Sequence, residues 1–212
     1  MTTATATFWN KLAERYAAQP VGNPDAFEKK IAAVRSMMTP DDVILAIGCG
    51  TGSLSLRLCD IGATHHGVDI SEEMIRIARD KVEAAGVDNV TFHVAPFDRD
   101  FTVFGPESLS GALAFSILHL LPNRTDAIAQ LFELLKPGGF FASSTVVLGD
   151  SWVPYGFVVG AMRMLGKAPW VESSLSADGL MDEMRAAGFV DVVRHDVGAK
   201  PTTAFITARK PA

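Results

Sequence analysis

The chain has 212 residues, 48% of them hydrophobic and 20% charged. That composition excludes a disordered chain, and the length suits one domain with appendages that buries its own core without metal or disulfide support. With 19 basic against 24 acidic side chains the net charge is −5, so no general positive field draws the protein to nucleic acid or acidic lipid.

The opening residues have neither a basic segment nor an apolar run of the secretory kind, so the expectation is a cytoplasmic protein. The uncharged stretches 108–123, 137–149 and 151–162 fall short of the roughly 20 apolar residues of a spanning helix. Cys49 and Cys59 are too few for a disulfide framework or a four-cysteine metal site, and no His, Cys and Asp spacing suggests a metal.

Phe8, Leu12 and Tyr16 recur at helical spacing, with Trp9 and Ala13 beside them. The run from Gln19 to Gly22 breaks that helix. Asn23 and Pro24 then read as an N-cap and first-turn proline of a second helix, with Phe27, Ile31, Val34 and Met38 as its apolar stripe. Val43–Ile47 reads as a buried strand, followed by a glycine loop and a helix over 53–59. A second strand is expected over 64–70. Ser71 caps a helix with Met74, Ala78 and Val82 on one face, and Glu72 and Glu73 suit its positive end.

A third strand is expected over 90–95, a fourth over 112–116, a helix over 123–135, a turn at Pro137-Gly138-Gly139 and a fifth strand over 140–148. Ser176 caps a last helix that ends at Gly188, and segments 189–197 and 202–209 pair as a closing hairpin. Alternation of strands and helices predicts an α/β fold with a parallel sheet, and the hairpin makes one strand antiparallel. Residues 149–175 fit the alternation poorly and read as an apolar insertion.

The most informative segment is Ile47-Gly48-Cys49-Gly50-Thr51-Gly52. A strand that runs through glycines into a helix presents backbone amides at the crevice above the sheet, where ligands bind in such folds. Asp69 lies at the tip of the next strand, where a carboxylate can accept both hydroxyls of a ribose. These parts together read as a nucleoside site. The pattern is G-x-G-x-G, so Ser53 departs from the final position of the dinucleotide fingerprint, and the lysine of a phosphate-binding loop is missing.

The order and spacing of four segments resemble the class I S-adenosylmethionine-dependent methyltransferases. They are residues 47–52, the run from Gly67 to Met74, Phe115–Leu121, and Leu134-Leu135-Lys136-Pro137-Gly138-Gly139. The likeness covers nearly the whole chain and is nearest to small bacterial enzymes of the methyltransferase-domain type, somewhat similar to the quinone-biosynthesis methyltransferases. It implies one Rossmann-like domain over 1–212, with a seven-stranded, mostly parallel sheet, one antiparallel strand and helices on both faces. It further implies an N-terminal helical lid over 1–40 and an acceptor wall over 149–175.

The resemblance also implies roles. Gly48, Cys49 and Gly50 would pass under the methionine end of S-adenosylmethionine, and Asp69 would hold the ribose. Ile70 and Met74 would pack on the adenine, and Ala95, Pro96 and Phe97 would meet its edge. Ser116 would face the methionine end, while Trp9 and Tyr16 would close over the site. Ala46 stands where the family places a carboxylate near the cofactor's ammonium group, and Pro96 stands where an aspartate is common, with Asp98 nearby.

His119, just after the fourth strand, is the candidate general base, because imidazole titrates in the useful range. A local packing role is its other reading. His65 and His66 read as structural, His93 as a satisfied core or surface residue, and His195 lies in the late hairpin. Phe115–Leu121 lacks the Pro-Pro-aromatic motif of nucleic-acid amino methyltransferases, so the expected partner is a small, apolar acceptor, with a homodimer as a further option. The rival readings are a non-catalytic cofactor-binding relative, motivated by Ala46 and Pro96, and a nicotinamide oxidoreductase.

Overall fold

The computed structural model describes residues 3–150 and 174–212. Segment 151–173, the greater part of the expected acceptor wall, lies outside the described residues. Two helices open the chain, α1 (Thr3–Ala17) and α2 (Pro24–Arg35). Asn23 caps α2 as expected, its side chain accepting from the Ala26 amide at 3.1 Å with proline at the first helical position.

Alternation follows: β1 (Val43–Ile47), α3 (Ser53–Leu58), β2 (Thr64–Asp69), α4 (Glu72–Ala85), β3 (Val90–Val94), β4 (Leu109–Phe115), α5 (Arg124–Leu134) and β5 (Leu135–Val146). After the undescribed segment come α6 (Ala177–Ala186), β6 (Val190–His195) and β7 (Thr203–Arg209). Ser71 caps α4 by accepting from the Met74 amide, and Gly86 ends the helix at φ +64°. Ser176 caps α6 in the same manner, and Gly188 follows its end at φ +106°.

The seven described strands form one sheet in the order β3-β2-β1-β4-β5-β7-β6. Pairing is parallel from β3 through β5, and β7 runs antiparallel to both β5 and β6. The seven-stranded sheet with one antiparallel strand therefore agrees with the expectation. Successive side chains of a strand point to opposite faces, and β1 sorts its residues accordingly. Leu45 and Ile47 join a core with Ile128, Leu131 and Leu180 of α5 and α6, whereas Ile44 and Ala46 join Ile31, Val34 and Leu58 on the other face. Strand order reverses between β1 and β4, which opens a crevice beyond their carboxyl ends.

Two strands differ most in their bounds from the sequence reading. β4 begins at Leu109 rather than residue 112 and ends at Phe115, because Ser116 turns out of the strand at φ +59°. β5 begins at Leu135 and runs through Pro137-Gly138-Gly139, which was expected to be a turn. Leu135 pairs with Leu109, and the Gly138 amide donates to the carbonyl of Lys210, so tertiary partners draw a turn-like sequence into the sheet.

Candidate functional site

A cavity of about 310 Å³ lies at the crevice. β1 delivers Gly48 and Gly50 to it, β2 delivers Val68 and Asp69, and the segment after β3 delivers Ala95 and Phe97. Phe115, Ser116, Ile117, His119, Leu120 and Leu121 come from the end of β4 and the short 3-10 turn after it. The wall is mainly apolar, with a few polar groups at fixed places, as small-molecule sites usually are.

The glycine loop is shaped by need. Gly48 sits at φ +57°, and a β-carbon on it would lie 2.5 Å from Ile117 Cγ1. Gly50 at φ +53° donates its amide to Asp69 Oδ2 at 3.0 Å, and the Ser71 amide donates to Asp69 Oδ1 at 2.9 Å. Burial pushes the Asp69 carboxyl up from its ordinary value, against the amides of Ser71, Gly50 and Ile70, which favour the charged form. A carboxylate has about four acceptor positions, so the fixed amides orient Asp69 and still leave it able to accept from a ligand.

α1 covers one side of the cavity. Trp9 and Tyr16 line it and meet edge to face, with ring centroids 6.4 Å apart. Asn10 Oδ1 accepts from the Ser71 hydroxyl at 2.6 Å and from the Glu73 amide at 3.4 Å, so the start of α4 is tied to α1. Arg76 pairs with Glu14 across the same interface. Burial, then the Asp69 charge, raises the Tyr16 pKa and keeps its hydroxyl protonated.

Of the residues singled out from sequence, Trp9, Tyr16, Gly48, Gly50, Asp69, Ile70, Met74, Ala95, Phe97, Ser116 and His119 all line this cavity. Pro96 is exposed between Ala95 and Phe97 and is not on the wall. Asp98 faces a neighbouring hollow with Arg99 and Asp126. Ala46 and Cys49 line a second cavity, of about 470 Å³, which shares Tyr16, Gly48, Gly50, Phe115 and Ser116 with the first. Burial and the Asp69 charge hold the Cys49 thiol well above its ordinary value, so it is not a reactive thiolate.

His119 is 8% exposed, and its Nδ1 is buried without a hydrogen-bond partner. Burial lowers its pKa to about 4, so the ring is neutral at physiological pH. His65 is buried in the core with a pKa likewise lowered to about 4, mainly by burial. His66 and His93 approach each other at 3.3 Å beside Phe104, and His195 bonds Thr207 at 2.7 Å. All four lie off the cavity wall. No metal-holding cluster occurs among the described residues.

Sequence reasoning missed Lys30 and Ser144, which meet on the second cavity, and Val68 on the first. An alternating or helical pattern marks which positions are inside, but not which polar residue of α2 reaches the tip of β5. Nothing in the local sequence carries that pairing across 114 residues.

Ile70, Met74 and Phe97 give the cavity wall apolar surface, and the Asp69 carboxylate, oriented by the Gly50 amide, lies on the same wall. Ala46, on the second cavity, brings no carboxylate to the end of β1.

Comparison with known proteins agrees with this geometry. The family model described as "Methyltransferase domain" matches residues 44–139. The chain is 31% identical over 185 residues to O-methyltransferase cnsE of Penicillium expansum, covering 86% of this chain and 63% of that protein. It is 31% identical over 160 residues to the 27-O-demethylrifamycin SV methyltransferase of Amycolatopsis mediterranei, covering 74% of this chain and 57% of that one. The chain thus spans under two thirds of the length of either relative.

The solved structure of Haemonchus contortus phosphoethanolamine N-methyltransferase 2 in complex with S-adenosyl-L-methionine superposes with a TM-score of 0.72 at 16% identity, over 88% of this chain and 53% of that one. At that identity the likeness is one of fold. Residues 44–139 thus resemble a methyltransferase domain, and the sheet order is that of the Rossmann-like fold shared with the solved methyltransferase structure.

Proposed function

We propose that the protein transfers the methyl group of S-adenosylmethionine to a small acceptor with an apolar body, leaving S-adenosylhomocysteine. The observation that carries this reading is Asp69, fixed by the Gly50 and Ser71 amides at the edge of an apolar slot. In this reading Asp69 accepts the ribose hydroxyls, and Ile70, Met74, Ala95 and Phe97 enclose the adenine. Gly48 and Gly50 let the methionine end approach the backbone. Trp9 and Tyr16 close the site against water.

The bound cofactor supplies a methyl group on positively charged sulfur, already activated for attack. The protein's share is then alignment and exclusion of water, which lower the barrier through proximity and orientation. Ser116 and His119 lie on the side of the cavity away from Asp69's strand, at the end of β4. In this reading His119, on the cavity wall with a neutral ring, takes the proton that a hydroxyl acceptor gives up. Phe115, Ile117, Leu120 and Leu121 supply apolar surface for the acceptor. None of the described helices is long and apolar enough to cross a membrane.

Calorimetric titration with S-adenosylhomocysteine, with NADH as control, tests the reading. Micromolar binding of the first and none of the second is expected. Binding of NADH, or a folded protein that binds neither, overturns it. One observation favours a second reading, a cofactor-binding protein without transferase activity: Ala46 leaves the end of β1 without a carboxylate. Formation of S-adenosylhomocysteine from S-adenosylmethionine in the presence of a metabolite extract decides against it.

A further inference from the structure

The second cavity differs from the first in charge. Its described wall contains no aspartate or glutamate, while Lys30 of α2 and Lys200 of the β6–β7 connection both line it. Lys30 is half-buried, its Nζ donates to Ser144 Oγ at 2.9 Å, and it makes no ion pair with a described carboxylate. Ser144 is itself 5% exposed at the carboxyl-end half of β5. Burial lowers the Lys30 pKa, the mark of an ammonium that has lost water without gaining a counter-charge.

We propose that the acceptor reaches from the first cavity into this second one across the shared Phe115 and Ser116, and that Lys30, steadied by Ser144, binds a carboxylate at its far end. This rests on the methyl-transfer reading above and narrows its substrate class to a molecule with an apolar body and one anionic end. Charge decides between the two possible owners of the carboxylate. The cofactor's carboxylate lies one carbon from an ammonium and near a sulfonium, both of which Lys30 repels and neither of which Ala46 can balance. An anionic acceptor is attracted by Lys30 and by the sulfonium together. The shared wall of Tyr16, Gly48, Phe115 and Ser116 brings the two ligands edge to edge, which in-line transfer needs.

The test is calorimetric titration of the full chain, saturated with S-adenosylhomocysteine, with phenylacetate and with its neutral isostere phenylacetamide. Phenylacetate should bind tighter by about tenfold, the worth of one charge-assisted hydrogen bond. Lys30→Met should erase that preference and leave S-adenosylhomocysteine affinity unchanged, while Lys30→Arg should keep part of it.

Equal affinity for the two probes, or binding of neither by the wild-type protein, overturns the proposal. Loss of S-adenosylhomocysteine affinity in Lys30→Met also overturns it, because the lysine then serves the cofactor's carboxylate. If the wild-type chain does not bind S-adenosylhomocysteine, the methyl-transfer reading falls by itself. The probe preference in the absence of cofactor then still decides for or against Lys30. Should Lys30→Met lose its native circular dichroism, Ser144→Ala provides the same comparison, with a weakened preference expected.

Discussion

Asp69 Oδ2 accepts the Gly50 amide at 3.0 Å, and this bond couples the tip of β2 to the glycine loop that follows β1. The loop and the carboxylate are 19 residues apart in sequence, yet they form one ligand-facing unit. Asp69→Ala removes the acceptor for a ligand's hydroxyls and strands the Gly50 and Ser71 amides. We expect S-adenosylhomocysteine affinity to fall by about tenfold or more. Thermal unfolding should show a folded but less stable protein. A folded variant with native affinity would place the nucleoside elsewhere.

The same residue gives a pH dependence. Burial raises the Asp69 pKa above the ordinary 3.8. On acidification Asp69 is therefore protonated earlier than a free aspartate, and a neutral carboxyl accepts more weakly from hydroxyls. Cofactor affinity should decline on acidification from a pH above that ordinary value. In the Asp69→Asn variant this decline should be absent. Titrations across an acidic series of buffers, with fold checked at each pH, read the effect.

Ala46 tests the departure from the family pattern. It is 3% exposed, packed with Ile44 and Leu113, and also lines the second cavity near Lys30. Ala46→Asp sets a carboxylate on the wall of the second cavity, so phenylacetate should bind about tenfold more weakly, whereas tighter S-adenosylhomocysteine binding would put the cofactor's ammonium there and overturn the assignment of that cavity. It should also lower the melting temperature, since a carboxylate enters the core. Unchanged phenylacetate affinity between pH 6 and 8 would sink this account of the position.

The legible and illegible parts of the molecule divide by the distance over which they are encoded. β1 stands in the sequence as a short apolar run, and α4 and α6 do so because apolar period, cap and terminating glycine all lie within one short segment. The first cavity was legible because a glycine loop and a strand-tip carboxylate carry their chemistry locally. The start of β5 was not, since Pro137-Gly138-Gly139 is a turn by composition and becomes strand only through Leu109 and Lys210. Lys30 with Ser144, and His66 with His93, are pairs made by the fold alone.

The tie between α1 and α4 offers a test of the lid. Asn10 Oδ1 accepts from the Ser71 hydroxyl, which in turn caps α4 at Met74. Asn10→Ala should cost about 1 kcal/mol of stability, and Ser71→Ala about the same through the lost cap. The double variant should cost less than the two together, because both act on one hydrogen-bonded chain. Urea unfolding of the three variants measures the coupling, and strict additivity would mean that the two contacts are independent. Weaker S-adenosylhomocysteine binding by Asn10→Ala would add that α1 must dock for the cavity to hold its ligand.

His119 links stability to chemistry. Its pKa is lowered from 6.5 to about 4 by burial, so the folded state prefers the neutral ring. The sign follows: the contribution is fully present above pH 6.5, declines as pH falls below it because the unfolded chain binds the proton first, and is gone below about 4. His65 acts in the same window and direction. Stability should therefore drop on acidification from pH 6.5 to 4, and His119→Gln should make that drop shallower by on the order of 1–3 kcal/mol. Urea midpoints at both ends of the window measure it. If His119 also takes the acceptor's proton, His119→Gln should lower kcat about 100-fold or more with a hydroxyl acceptor while leaving S-adenosylhomocysteine affinity intact. A variant with a flattened stability profile and native kcat would make His119 a packing residue.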